Sequence, residues 1–127
     1  MSQDSDVHIS YEDQQKINKF ARQNAKMEDY KQELKIKENE LKSLEDACDE
    51  LALADDDVTV PYRYGEVFVY QDLEKTQNCL EDAKKRKKAE IKSLECKCTD
   101  LKAMMSDLKT QLYAKFGSHI NLEAEED

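Results

Sequence analysis

The chain is 127 residues long, enough for one domain, and 39% of its residues are charged against about 25% in ordinary globular proteins. With only 2 Gly and 1 Pro, a fold of many strands and tight turns is excluded and long helices remain. A net charge of -9 repels phosphate backbones and anionic headgroups alike, so neither nucleic acid nor a membrane surface is an expected partner.

No run approaches the roughly 18 consecutive apolar residues of a membrane span. Residues 1–10 lack the basic and apolar regions of a secretory signal. A soluble protein with a flexible N-terminal segment over residues 1–10 is therefore expected. The first helix is predicted over 11–53. Ser10 can accept from an early backbone N–H, and Asp13 places negative charge near the positive end of the helix dipole. Apolar residues then recur at steps of three and four through Ile17, Phe20, Met27, Tyr30, Leu34, Leu41, Leu44, Cys48 and Leu51, the seam of a coiled coil. Asn24 and Lys37 interrupt it, as register-fixing polar residues do. Asp46, Asp49 and Glu50 lie at the C-terminal end of this helix, against its dipole.

Between 54 and 71 the composition changes. Val58, Val60, Tyr62 and Tyr64, then Val67, Phe68, Val69 and Tyr70, are β-branched or aromatic, with Gly65-Glu66 between the two runs. This predicts one β-hairpin, 58–64 and 66–70. Pro61 has no N–H for the ladder, so its nitrogen should face outward or mark an irregularity. Asp55-Asp56-Asp57 lacks the alternation and glycine of a calcium loop and reads as an acidic linker.

The second helix is predicted over 72–116, its seam running through Leu73, Thr76, Leu80, Ala83, Ile91, Leu94, Cys98, Leu101, Met105, Leu108 and Leu112. The steps from Ala83 through Lys87 to Ile91 form a stutter that should relax the supercoil. Acid-then-base pairs four apart, Glu12/Lys16, Glu33/Lys37, Glu38/Lys42, Glu81/Lys85 and Asp82/Arg86, favour solvated helix. Gly117 suits a left-handed C-terminal cap, and an acidic tail follows to residue 127. Two matched helices fold back together, so the expected class is mainly α: an antiparallel two-helix coiled coil with one β-hairpin between the helices, a single domain over 1–127.

An isolated hairpin is marginal in water and its open edges and apolar faces invite strands from other chains. Val58, Val60, Tyr62, Tyr64, Val67, Phe68, Val69 and Tyr70 are thus the expected assembly residues. Chemistry has little support. His8 and His119 stand alone, and Cys48, Cys79, Cys96 and Cys98 show no zinc or redox spacing, so they read as reduced thiols used as small hydrophobes. There is no G-x-x-x-x-G-K phosphate loop. No catalytic residue, cofactor or metal is expected, and the protein is read as a non-enzyme.

The segments Glu12-Asp-Gln-Gln-Lys-Ile-Asn-Lys-Phe-Ala-Arg22, Leu44-Glu-Asp-Ala-Cys-Asp49, Leu53-Ala-Asp-Asp-Asp57, Val60-Pro-Tyr62, Gly65-Glu-Val-Phe68, Gln111-Leu-Tyr-Ala-Lys-Phe-Gly-Ser118 and Ile120-Asn-Leu-Glu-Ala124 closely resemble β-type subunits of the prefoldin family. The matches run in order along nearly the whole chain; from Gln77 to Met105 mainly the periodicity persists. The resemblance implies a heterohexamer of two α-type and four β-type subunits. In that family the hairpins form a platform, and six coiled-coil arms hold unfolded actin and tubulin for the cytosolic chaperonin without ATP. The partners it implies are therefore the other prefoldin subunits, non-native actin and tubulin, and that chaperonin, in the cytoplasm.

Where the two chain ends meet, Ile9, Tyr11, Ile17, Phe20, Leu112, Tyr113, Phe116, Ile120 and Leu122 concentrate apolar side chains in an otherwise charged protein. These are the candidate client-binding residues; the competing reading is that Ile17, Phe20, Leu112 and Phe116 simply close the seam. The tail acids Glu123, Glu125, Glu126 and Asp127 read as solvating, or as attracting basic partners. Lys84-Lys-Arg-Lys-Lys88 spreads around a helix axis as a solvated face, while also raising nuclear localisation as an alternative. The rival to a chaperone subunit is a coiled-coil adaptor bridging folded partners.

Overall fold

The structure is a computed structural model that describes residues 8–55 and 57–122. Most of the expected flexible N-terminal segment, Asp56 of the acidic linker, and Glu123, Glu125, Glu126 and Asp127 of the tail lie outside the described residues. The elements in chain order are helix α1 (Tyr11–Leu51), strands β1 (Thr59–Tyr64) and β2 (Val67–Asp72), helix α2 (Leu73–Phe116) and a 3-10 turn (Gly117–His119). The expected class, two long helices with an antiparallel hairpin between them in the chain, is the class observed.

Each boundary has a local cause. At the start of α1, the Asp13 N–H donates to Ser10 Oγ at 3.1 Å and the Ser10 N–H donates to Asp13 Oδ2 at 3.1 Å, a reciprocal cap that satisfies two backbone donors at once. Asp72 does similar work for α2: its Oδ1 accepts from the Lys75 N–H at 2.7 Å, so α2 opens at Leu73, one residue later than the periodicity suggests. At its far end Gly117 adopts φ +54°, the left-handed conformation expected of a C-terminal cap. Helix α1 ends at Leu51 rather than 53. There the chain tightens into bonds from the Leu53 N–H to the Glu50 carbonyl and from the Ala54 N–H to the Leu51 carbonyl.

Packing divides the chain into two units, one built from the chain through Gln32 together with the chain from Glu95 onward, the other from Glu33–Leu94. In the first, the terminal unit, Phe20, Met27, Leu101, Leu108, Leu112 and Phe116 are buried. In the second, the hairpin unit, α2 and the strand leading into it supply the deeply buried positions, Gln71, Leu73, Thr76, Leu80 and Leu94. Leu34, Leu41, Leu44, Cys48 and Leu51 of α1 stay half-buried, because a two-helix seam covers each side chain from one side only.

Polar residues also bridge the seam of the hairpin unit. Lys37 meets Glu90 at 3.1 Å and Lys87 meets Glu40 at 3.6 Å across the helices, while Lys87 also reaches Glu90 at 3.3 Å. The hydrogen bond from Lys37 draws the Glu90 carboxyl below its ordinary range and raises the Lys37 ammonium. Lys37 and Lys87, the two lysines at irregular points of the seam, are therefore turned to use. Intrahelical pairs form at spacing three, Glu28–Lys31, Glu81–Lys84 and Lys87–Glu90. Of the pairs expected at spacing four, Glu33/Lys37 loses Lys37 to the opposite helix and Glu81/Lys85 gives way to the Lys84 contact.

Candidate functional site

The hairpin is the first candidate surface. Its strands pair antiparallel from Tyr64↔Val67 to Thr59↔Asp72, and Gly65 at φ +61° followed by Glu66 at negative φ has the pattern of a type II′ turn. Counting outward from the closing pair, hydrogen-bonded and non-hydrogen-bonded pairs alternate. Pro61↔Tyr70 falls on a non-hydrogen-bonded pair, so the proline nitrogen faces away from β2 and costs the ladder nothing, as Pro61 required. The second strand is 67–72 rather than 66–70, and Val58 lies just outside the first. Asp72 thereby serves both as the last ladder residue and as the α2 cap.

The two faces of the hairpin differ. One carries Val60, Tyr62 and Tyr64 opposite Gln71, Val69 and Val67. It is tied to α2: the Tyr64 hydroxyl donates to Gln71 Oε1 at 2.9 Å and lies 3.6 Å from Cys79 Sγ, and Gln71 Nε2 donates to the same sulfur at 3.8 Å. The Tyr62 and Tyr64 rings meet edge-on at 5.1 Å. The Cys79 contact, then burial, pushes the Tyr64 phenol above its ordinary pKa. The other face carries Thr59, Pro61 and Arg63 opposite Asp72, Tyr70 and Phe68. It is open throughout, with Phe68 64% and Tyr70 73% exposed. Among the described residues the sheet has only these two strands, which leaves both outer edges unpaired.

The ends of the two helices in the terminal unit are the second surface. The nine client candidates separate here by depth. Leu112 is 1% exposed and Phe20 and Phe116 are buried with it. Ile17, Tyr113, Ile120 and Leu122 are half-buried, and Ile9 and Tyr11 are exposed. After Gly117 the chain folds back along α2 far enough for the Leu122 N–H to donate to the Tyr113 hydroxyl at 2.9 Å, which explains why Ile120 and Leu122 are partly covered.

Asp13 is the residue of this unit that the sequence reading saw only as a charge near the helix start. It is buried, 5% exposed, and beyond its cap it accepts from Lys115 Nζ. That hydrogen bond, against the opposing effect of burial, holds the Asp13 carboxyl down to about 2. The signal was present, since Asp13 stands seven residues before Phe20, on the line of the seam. Gln23, next to the expected seam residue Asn24, is also buried, with its Oε1 lacking a hydrogen-bond partner.

Among the described residues no group of His, Cys, Asp and Glu is placed to hold a metal ion, and no helix is long and apolar enough to cross a membrane. The four cysteines are free thiols; burial raises the pKa of Cys48 and Cys98, in keeping with their packing as small hydrophobes.

A family model described as prefoldin subunit matches residues 14–119. The chain belongs to the prefoldin family. It is 51% identical to human prefoldin subunit 4 over 122 residues, covering 95% of this chain and 91% of the relative. To probable prefoldin subunit 4 of Drosophila melanogaster it is 53% identical over 121 residues, covering 95% and 88%, and to prefoldin subunit 4 of Saccharomyces cerevisiae 36% over 121 residues, covering 95% and 94%. The crystal structure of the prefoldin beta subunit from Thermococcus strain KS-1 superposes with a TM-score of 0.75 at 19% identity, covering 84% of this chain and 94% of the other. The prefoldin match embraces nearly all of both helices and the whole hairpin; Ile9, Tyr11, Asp13, Ile120 and Leu122 of the second surface lie outside residues 14–119. Residues such as Leu53, 89% exposed beside the hairpin, join Phe68 and Tyr70 as apolar groups that this prefoldin chain leaves uncovered by itself.

Proposed function

We propose that this chain is a non-enzymatic co-chaperone subunit of a prefoldin heterohexamer with two α-type and four β-type subunits. It joins its partners through the hairpin, captures unfolded proteins at the ends of its paired helices, and passes them to the cytosolic chaperonin without ATP. The observation that carries this reading is the hairpin: it is fully formed, yet one face bearing Phe68 and Tyr70 and both strand edges have no cover. Burial of such surface is favourable by roughly 25 cal/mol per Å², and strand addition at an open edge is the direct way to achieve it.

Capture by the helix ends is supported by Ile9, Tyr11, Ile17, Tyr113, Ile120 and Leu122, apolar groups at least partly accessible there. Contacts of that kind are weak and sequence-tolerant, which suits clients as different as actin and tubulin. The proposed location is the cytoplasm. The basic run gives less weight to the nucleus, because Lys84 and Lys87 are engaged with carboxylates.

Tagged chain recovered from cytosol should bring down a stoichiometric set of prefoldin subunits, and the intact complex should suppress aggregation of denatured actin and tubulin. Recovery of folded partners only, with no protection of denatured protein, would favour an adaptor and overturn the chaperone reading.

A further inference from the structure

The terminal unit presents a conflict that its own geometry resolves. Phe20, Leu112 and Phe116 are the three client candidates that are buried. Above them lies an ion pair. Asp13 Oδ2 receives both the Ser10 N–H and the Lys115 ammonium, tying the first turn of α1 to the last turn of α2. Lys115 directly precedes Phe116, with its ammonium 5.8 Å from that ring, and follows Leu112 by one helical turn. Asp13 precedes Phe20 by two turns.

The fastening is unequal on its two sides. The Asp13 side chain is 7% exposed but that of Lys115 is 52% exposed, so the lysine side of the pair is already partly in water. Departure of the lysine leaves the Asp13 carboxylate enclosed without that partner, which favours parting of the helix ends to hydrate it. Ten residues further along α1, nearly three turns inside the pair, the buried Gln23 Oε1 has no hydrogen-bond partner among the described residues. An ionic tie at the rim, enclosed on its carboxylate side and half exposed on its lysine side, is the contact on which closure of these ends depends.

We infer that the Asp13–Lys115 pair is a clasp, and that its release opens the helix ends so that Phe20, Leu112 and Phe116 take part in binding a non-native protein. The inference rests on the reading of these ends as the client surface and adds a gate to it. Client affinity is then scaled by the fraction of chains whose clasp is open. The half-buried Ile17, Tyr113, Ile120 and Leu122 serve first contact, and the buried trio serves retention.

The test uses the assembled complex containing wild type, Lys115→Met, Asp13→Asn or Lys115→Arg in this subunit. Two readouts are amide hydrogen exchange over residues 109–116 and capture of guanidine-denatured citrate synthase. Lys115→Met and Asp13→Asn should each speed exchange about tenfold there while residues 73–80 exchange as in wild type, and capture should rise severalfold; Lys115→Arg should stay near wild type in both. Unchanged exchange in both variants would overturn the clasp. Faster exchange with unchanged or reduced capture would overturn the gate while leaving these ends as the client surface. No capture by any complex, wild type included, would overturn the client reading and the gate together.

Discussion

Leu112 and Ser10 show how differently two residues of the same unit support the fold. Leu112 is wholly enclosed, so Leu112→Ala removes buried methyl groups and leaves a void. It should cost about 2–5 kcal/mol of unfolding free energy, read from denaturant titration of the chain. Ser10→Ala deletes only the oxygen that caps Asp13 and should cost about 1 kcal/mol. Asp13 adds a dependence on pH whose sign is fixed. Its carboxyl is lowered from 3.8 to about 2 on folding, so the folded chain binds its proton less readily than the unfolded chain. The stabilisation is complete above the unfolded value and is lost as pH falls from near 4 through about 2. Circular dichroism on acid titration should therefore show Asp13→Asn less stable at neutral pH but less sensitive over that acid window. Because the window lies so low, the charge of Asp13 is constant across physiological pH.

The hairpin is the element whose isolated structure is least self-sufficient. Gly65 sits at φ +61° with no atom near a would-be side chain, so Gly65→Val meets backbone strain rather than a clash, on the order of 1–2 kcal/mol. The loss should appear as weaker association with the other subunits. Phe68→Ser with Tyr70→Ser tests the outer face more directly. Both side chains are mostly exposed in the single chain, so its helix content should be unchanged by circular dichroism while co-purification of partners drops sharply. Retained association would mean that this face is not used. Pro61→Val makes a contrasting case. The nitrogen points away from β2, so stability should shift by no more than about 0.5 kcal/mol, and the new outward N–H should make the free chain more prone to edge pairing.

At the scale of the whole molecule, the chain combines a terminal unit that buries Phe20 and Phe116 with a hairpin unit that leaves Phe68 and Tyr70 bare. Water tolerates the first arrangement and disfavours the second, which is why assembly is expected to involve the hairpin. In the intact complex, removal of residues 1–10 and 118–127 deletes Ile9, Ile120 and Leu122 without touching the hairpin. Suppression of aggregation of denatured protein should fall while subunit stoichiometry by analytical ultracentrifugation stays the same. Equal protection by the truncated complex would move the client surface elsewhere.

Periodicity, composition and turn residues are local properties, and they determined the elements. The three-four spacing marked α1 and α2, Gly65-Glu66 marked the hairpin, Gly117 marked the last cap, and the in-order match of short segments identified the family. What local pattern leaves open is which of several equivalent neighbours a side chain will meet. A lysine four residues after a glutamate reads as its partner, yet Lys37 binds Glu90, more than fifty residues away in the chain. Asp13 reads as a helix-start residue, yet only the return of α2 brings Lys115 to it and turns a cap into a tie between helices. The same return decided that Phe20, Leu112 and Phe116 are enclosed while Tyr11 is not. Burial and pairing depend on distances between residues remote in sequence, and those distances exist only once the chain has folded back on itself.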